Sequence, residues 1–227
     1  MEKSMKVRLI SYSKPHENIQ AEGLESVQDL IAFCARVSNP SNQLNTQTSQ
    51  KLINYLVKHK HWSPLEMASV CMEVETTRDI ARQMLRHRSF SFQEFSQRYA
   101  NPDAEFDDMF QKRERREQDP KNRQNSITVA DDGYEWDRLQ RRVEWMCARE
   151  YRNAIKMGVA KEQARALLPE GLTKSRLYMN GTIRSWIHYI QLRSGHGTQK
   201  EHMEIARECA CALHPIFPMI EEFISEL

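Results

Sequence analysis

From Ala68 to Glu75 the chain alternates without a break. Ala68, Val70, Met72 and Val74 fall on one side, and Ser69, Cys71, Glu73 and Glu75 on the other. A period of two puts successive side chains on opposite faces, so this segment is a half-buried strand. Directly behind it the period changes. Thr76, with Asp79 three residues on, resembles a capping box and opens a helix over about 77–88. Ile80, Ala81, Met84 and Leu85 form its apolar face. Gln83, Arg86 and His87, at i, i+3 and i+4, share a polar one.

The rest of the chain adds helices to a small amount of strand. Residues 6–12 read as a short strand, and Leu24, Val27, Leu30, Ile31, Cys34 and Ala35 give a helix over 24–38. An Asn-, Ser- and Thr-rich loop spans 39–48, and a helix follows at about 48–60. His61-Trp62-Ser63-Pro64 ends that helix, because the residue before a proline disfavours helical backbone. Residues 89–134 are polar and lack apolar periodicity. A long helix fits 135–157 with Leu139, Val143, Met146, Cys147 and Ile155 inside. Shorter ones fit 161–168, 183–193 and 199–213. The expected class is α+β: a small antiparallel sheet packed with several helices, in one domain over residues 1–227.

Charge excludes some functions. The 33 basic and 31 acidic side chains leave a net charge of +2, too balanced for a duplex-binding or membrane-surface protein. Any anionic ligand must be met by a local arginine cluster. The five cysteines (Cys34, Cys71, Cys147, Cys209 and Cys211) form no CxxC and no zinc-spaced group with histidine, so no metal site is expected. Scattered thiols, an N-terminus without a signal-peptide pattern and no span-length apolar run imply a cytoplasmic setting and no membrane partner.

The densest chemistry lies in residues 82–99, RQMLRHRSFSFQEFSQRY. Arg78, Arg82, Arg86, Arg88 and Arg98 stand among only two acids, Asp79 and Glu94. Polar Gln93, Glu94, Ser96 and Gln97 interleave with Phe90, Phe92, Phe95 and Tyr99. Guanidinium forks match phosphate and imide oxygens, and aromatics match a planar ring. A solvated basic face would give the same composition, and cations with aromatics also suit single-stranded nucleic acid. Near-neutral overall charge counts against nucleic acid.

Arg86-His87-Arg88, seven residues and then Ser96 has the RHR-x7-S spacing of the flavin-dependent thymidylate synthase family, and the chain resembles it further. His61-Trp62-Ser63-Pro64-Leu65-Glu66 is similar to that family's H-x-[ST]-P-x-E segment, and Ala164-Arg165 through Leu168-Pro169 to its AR-x-x-LP segment. Arg184-Ser185 and Leu192-Arg193, followed by Gln199 and Glu201, resemble its C-terminal part. Met67 stands where the family often has histidine, and His188 where some members have asparagine. Residues 100–160 carry no recognisable match.

The resemblance implies FAD as cofactor, dUMP as substrate, methylenetetrahydrofolate as one-carbon donor, NADPH as reductant and no nucleic-acid partner. It implies a homotetramer with sites formed between subunits. Ser63, Arg86, His87, Arg88, Glu94, Thr182, Ile183, Arg184 and His188 would contact the cofactor, with Glu66 near it. Gln83, Arg86, Glu94, Phe95, Ser96, Gln97, Arg98, Arg165 and Arg193 would hold the nucleotide, and Arg193 would be catalytic. The chain has seven glycines and no G-x-G-x-x-G behind a strand, so a dinucleotide must sit outside a Rossmann crevice. No cysteine lies in an activating sequence context, so the chemistry should proceed without a thiolate nucleophile.

Overall fold

The computed structural model describes residues 6–224. Its elements run β1 (Val7–Tyr12), α1 (Glu17–Gln20), α2 (Val27–Ala35), α3 (Ser49–Lys58), β2 (Ser69–Thr77), α4 (Arg78–Met84), β3 (Ser91–Glu94) and α5 (Pro102–Glu105). They continue with β4 (Arg116–Gln118), β5 (Ser126–Thr128), α6 (Tyr134–Lys156), α7 (Lys161–Ala164), β6 (Lys174–Thr182), α8 (Ile183–Arg193) and α9 (Lys200–Leu213). The main sheet has the order β1-β2-β6-β3 with every pair antiparallel, and β4 and β5 form a separate hairpin. The expected α+β class with a small antiparallel sheet is what the chain forms.

β2 is the strand that the alternation announced. Val70, Met72 and Val74 are buried, and Trp186 of α8, also fully buried, donates its indole N–H to the Val70 carbonyl at 3.1 Å. Ile183, Ile187 and Ile190 of α8, with Ile205, Ala206, Cys209 and Leu213 of α9, complete this core. The opposite face is a ladder of charge. Arg8 meets Glu73 at 3.1 Å, the Tyr178 hydroxyl donates to Glu73 at 2.8 Å, and Arg176 meets Glu75 at 3.2 Å. Cross-strand pairs of this kind contribute roughly 0.2–1 kcal/mol each.

β6 is the central strand that the sequence reading missed. It pairs with β2 from Ser69↔Thr182 to Thr77↔Lys174, and with β3 from Ser91↔Asn180 to Glu94↔Leu177. Its inward positions are Ser175, Leu177, Met179 and Gly181. Two of these four are small, so apolar periodicity is weak, and Asn180-Gly181 resembles a turn. Gly181 is small for a reason: a Cβ there would lie 2.4 Å from Cδ1 of Phe90. β3, α5, β4 and β5 all fall in the stretch read only as polar.

Three further expectations are corrected. The expected 77–88 helix spans only Arg78–Met84, because the chain must turn back to start β3 opposite Asn180. Thr76 is a buried strand residue, and Thr77 occupies the cap position without a capping bond. The Thr77 hydroxyl instead donates to Asp79 at 2.5 Å and accepts from Arg113 at 2.6 Å. On α6, Leu139, Val143 and Met146 are expected inside but are 46%, 36% and 46% exposed, since no element among the described residues covers that face fully. Elsewhere the boundaries agree within a few residues; α2 starts at Val27 because Ser26 and Asp29 form a reciprocal capping box.

Candidate functional site

Because α4 stops early, Arg86-His87-Arg88 sits on a turn, held by His87 N–H to Met84 C=O at 2.9 Å and Phe90 N–H to His87 C=O at 3.2 Å. Phe90 anchors it from below, edge-on to Trp186 with centroids 4.8 Å apart. The Ser185 hydroxyl of α8 ties it from the side by donating to the Ser89 carbonyl at 3.1 Å. Arg193, at the far end of α8, donates from Nε to His87 Nε2 at 3.0 Å. Burial and the Arg193 charge hold the His87 imidazole down to about 4, so the ring is neutral. Its Nε2 lone pair faces Arg193, and Nδ1 carries the ring proton. Arg86 and Arg88 are exposed and make no ion pair among the described residues.

A second group lines a cavity of about 390 Å³: Arg78, Arg82, Gln97, Glu162, Arg165, Ala166, Leu168 and Glu170. Gln97 is 3% exposed, yet its amide nitrogen has no partner among the described residues. An orphaned buried donor costs about 1–3 kcal/mol, which a ligand oxygen would relieve. Arg82 meets Glu170 at 2.5 Å, and Arg98 reaches the Glu162 carboxylate at 3.7 Å. Arg165 donates to the Glu162 carbonyl at 3.2 Å and leaves its carboxylate to Arg98. Glu94 accepts from the Ser175 hydroxyl at 2.7 Å and faces Arg78 at 3.6 Å. Ser96 is exposed at the start of the following turn, and the Phe95 ring packs edge-on to Phe106.

A third group lies where α8 begins. Arg184 pairs with Glu66 of the short 3₁₀ turn Ser63–Glu66, on which Ser63 is exposed. His188, one turn along, is edge-on to Trp62 with centroids 4.5 Å apart, and burial with the Arg184 charge lowers its basicity. Thr182 caps α8 by accepting from Ser185 N–H at 3.3 Å, and Ile183 is buried in the core. The expected residues therefore fall into three clusters on the single chain, joined by α8 and by the turn after α4.

Sequence reasoning missed several residues that lie among these clusters. Arg78 and Arg82 were seen only as part of a basic run, although they line the cavity with Gln97. Tyr189 and His202 went unnoticed beneath His87: the Tyr189 ring is edge-on to His87 at 4.9 Å, and its hydroxyl lies 3.1 Å from His202 Nε2. The available signal was a histidine placed at helical spacing with Ile205, Ala206 and Cys209 on an otherwise apolar face. Gln83 does reach this layer, with its Oε1 3.1 Å from His202 Nδ1.

The fold and site define a helix-covered antiparallel α+β protein with arginines clustered on the turn after α4 and around the cavity beside it. The chain belongs to the thymidylate synthase complementing protein family, whose model matches residues 22–219. A protein of Paramecium bursaria Chlorella virus 1 named "Probable flavin-dependent thymidylate synthase" is 45% identical over 218 residues, covering 95% of this chain and 97% of the relative. The flavin-dependent thymidylate synthase of Synechocystis sp. is 44% identical with the same coverage. Among solved structures, the UMP/dUMP methylase PolB of Streptomyces cacaoi bound with 5-Br dUMP superposes with a TM-score of 0.77 at 27% identity, covering 96% of this chain and 93% of that one. Among the described residues no helix is long and apolar enough to cross a membrane, and no cluster of three or more His, Cys, Asp or Glu could hold a metal.

Proposed function

We propose that this chain methylates dUMP to dTMP as a flavin-dependent thymidylate synthase. It uses FAD, methylenetetrahydrofolate and NADPH, and works as a cytoplasmic homotetramer whose sites are completed between copies. The contact that carries this reading is Arg193 to His87, which brings the end of α8 onto the arginine-rich turn 106 residues earlier. The family membership and the two relatives at 44–45% identity support it.

The donor set fits a dinucleotide cofactor. Unpaired Arg86 and Arg88, the exposed Ser63 hydroxyl and the Arg184–His188 edge of α8 offer cations and hydrogen-bond donors for a pyrophosphate and a ring. FAD held by these residues would supply the hydride-transfer chemistry of the reaction. The protein's own work is binding and polarisation. Gln97, Arg165, Arg82 and Arg78 meet the nucleotide phosphate, the Gln97 amide gaining the acceptor that it lacks. Arg193 stabilises negative charge on the pyrimidine as N3 loses its proton. Neutral His87 fixes the Arg193 fork through Nε2 and keeps its Nδ1 proton for an acceptor.

A thiolate route is disfavoured by the same chemistry. Burial pushes the Cys34, Cys71, Cys147 and Cys209 thiols up, and no cation among the described residues offsets it. The test is the visible spectrum of the purified protein with a dTMP assay. The expected result is flavin absorbance that bleaches with NADPH and dUMP. Arg193→Ala should lower dTMP formation by at least about 10²-fold while the flavin stays bound. Full activity in that variant overturns the Arg193 role, and colourless protein without dTMP formation overturns the function.

A further inference from the structure

Beneath the His87–Arg193 contact runs a line of hydrogen bonds whose direction can be deduced. The Tyr189 hydroxyl lies 3.1 Å from His202 Nε2, and His202 Nδ1 lies 3.1 Å from Gln83 Oε1. Gln83 Nε2 lies 2.8 Å from Gln199 Oε1, and Gln199 Nε2 lies 2.9 Å from Glu201 Oε2. Glu201 is held by Arg113, whose Nη1 is 2.8 Å from the same oxygen. Tyr189 and His202 are buried, while Gln83 is half-exposed beside the arginine-rich turn.

Glu201 sets the sense of the whole line. Paired with a guanidinium it is a carboxylate, and a carboxylate only accepts. Gln199 must therefore turn its NH2 towards Glu201 and its carbonyl towards Gln83. Gln83 must donate to that carbonyl, which turns its own carbonyl towards His202. His202 must then carry its proton on Nδ1, and its bare Nε2 must accept from the Tyr189 hydroxyl. The reverse sense would need an O–H on Glu201, which Arg113 forbids. One hydrogen of the Gln83 amide remains, and it points away from Gln199.

We propose that His202, Tyr189 and Gln199 are positioning residues that lock the Gln83 amide with N–H outward, so that the site offers the uracil nucleotide a donor and never a carbonyl at this point. The ligand group opposite Gln83 is thus an oxygen. An amino group there would face a donor with no lone pair. The proposal rests on the function proposed above and on the expectation, carried by the family resemblance, that Gln83 is one of the residues holding the nucleotide. Burial and the nearby Arg193 charge, which hold the His202 imidazole down to about 3, agree with the neutral ring that the line requires.

The test separates a positioning role from a merely structural one. In Asn the side-chain nitrogen can take the place of Nδ1, so His202→Asn keeps a donor to Gln83. His202→Asp is the same shape with an acceptor only. Asp should raise the dUMP KM by about tenfold or more with kcat changed much less, while Asn stays within about threefold of wild type. Tyr189→Phe frees Nε2 and should raise KM severalfold at unchanged flavin content. Nitrogen-15 histidine spectra of the wild-type chain should show His202 as the Nδ1–H tautomer, a readout independent of ligand and of whether any variant folds. An Nε2–H tautomer, or a folded His202→Asp protein with wild-type KM, overturns the proposal. An Nδ1–H tautomer in a protein that does not bind dUMP overturns the nucleotide reading beneath it, with the bond direction intact.

Discussion

Arg193 and His87 fix each other's state, and the pH dependence of the fold follows. The folded His87 and His202 titrate near about 4 and about 3, below the ordinary histidine value of about 6.5. As pH falls, the unfolded chain takes up these protons first. Stability is therefore fully present above about pH 6.5 and is lost as pH drops towards 4. Thermal melts between pH 7 and 4.5 should show Tm falling, with a shallower slope in His202→Gln. The Glu66–Arg184 pair is a different case. Both side chains are about 40% exposed, so the pair stabilises the fold by no more than about 1 kcal/mol. Glu66→Gln should leave Tm nearly unchanged and lower the flavin-to-protein ratio after gel filtration. An unchanged ratio would remove Glu66 from the cofactor surface.

Among the elements, β6 decides where the arginine-rich turn can sit. Gly181→Ala would drive a methyl into the Phe90 ring and should cost about 1–3 kcal/mol. Because Phe90 anchors the turn, the same variant should lose nucleotide affinity as well as Tm; affinity held at wild-type level would show that the turn is positioned otherwise. This strand also marks the limit of legibility. β2, α8 and α9 were readable because their apolar residues are large and regularly spaced. β6 was not, because a serine and a glycine occupy two of its four inward places. The site divides in the same way. The RHR turn, Arg165 and Arg193 stand out in the sequence as a spaced motif, whereas Tyr189 and His202 lie within apolar helix faces and meet only once α8 and α9 are packed.

At the scale of the molecule, α6 explains why one chain looks incomplete. Trp136, Leu139, Val143 and Met146 follow one another at helical spacing and are 36–46% exposed. A helix of 23 residues with this apolar stripe uncovered is poorly suited to stand in water. A like chain is the natural cover if the protein is the proposed homotetramer. Leu139→Glu should lower the mass seen by light scattering and abolish dTMP formation together. A wild-type mass with full activity would place the subunit contacts elsewhere.

Two joints in this chain have no slack. Thr77 is the last residue of β2 and Arg78 the first of α4; Thr182 ends β6 and Ile183 begins α8. One residue added at either joint would spin the helix behind it by about 100°. Such a spin would carry His87 or Arg193 out of reach of the other while leaving the pairing of β1, β2 and β6 in place. Length at these two points is thus as strictly constrained as side-chain identity, whereas the hairpin between Arg116 and Thr128 can grow or shrink without altering either angle.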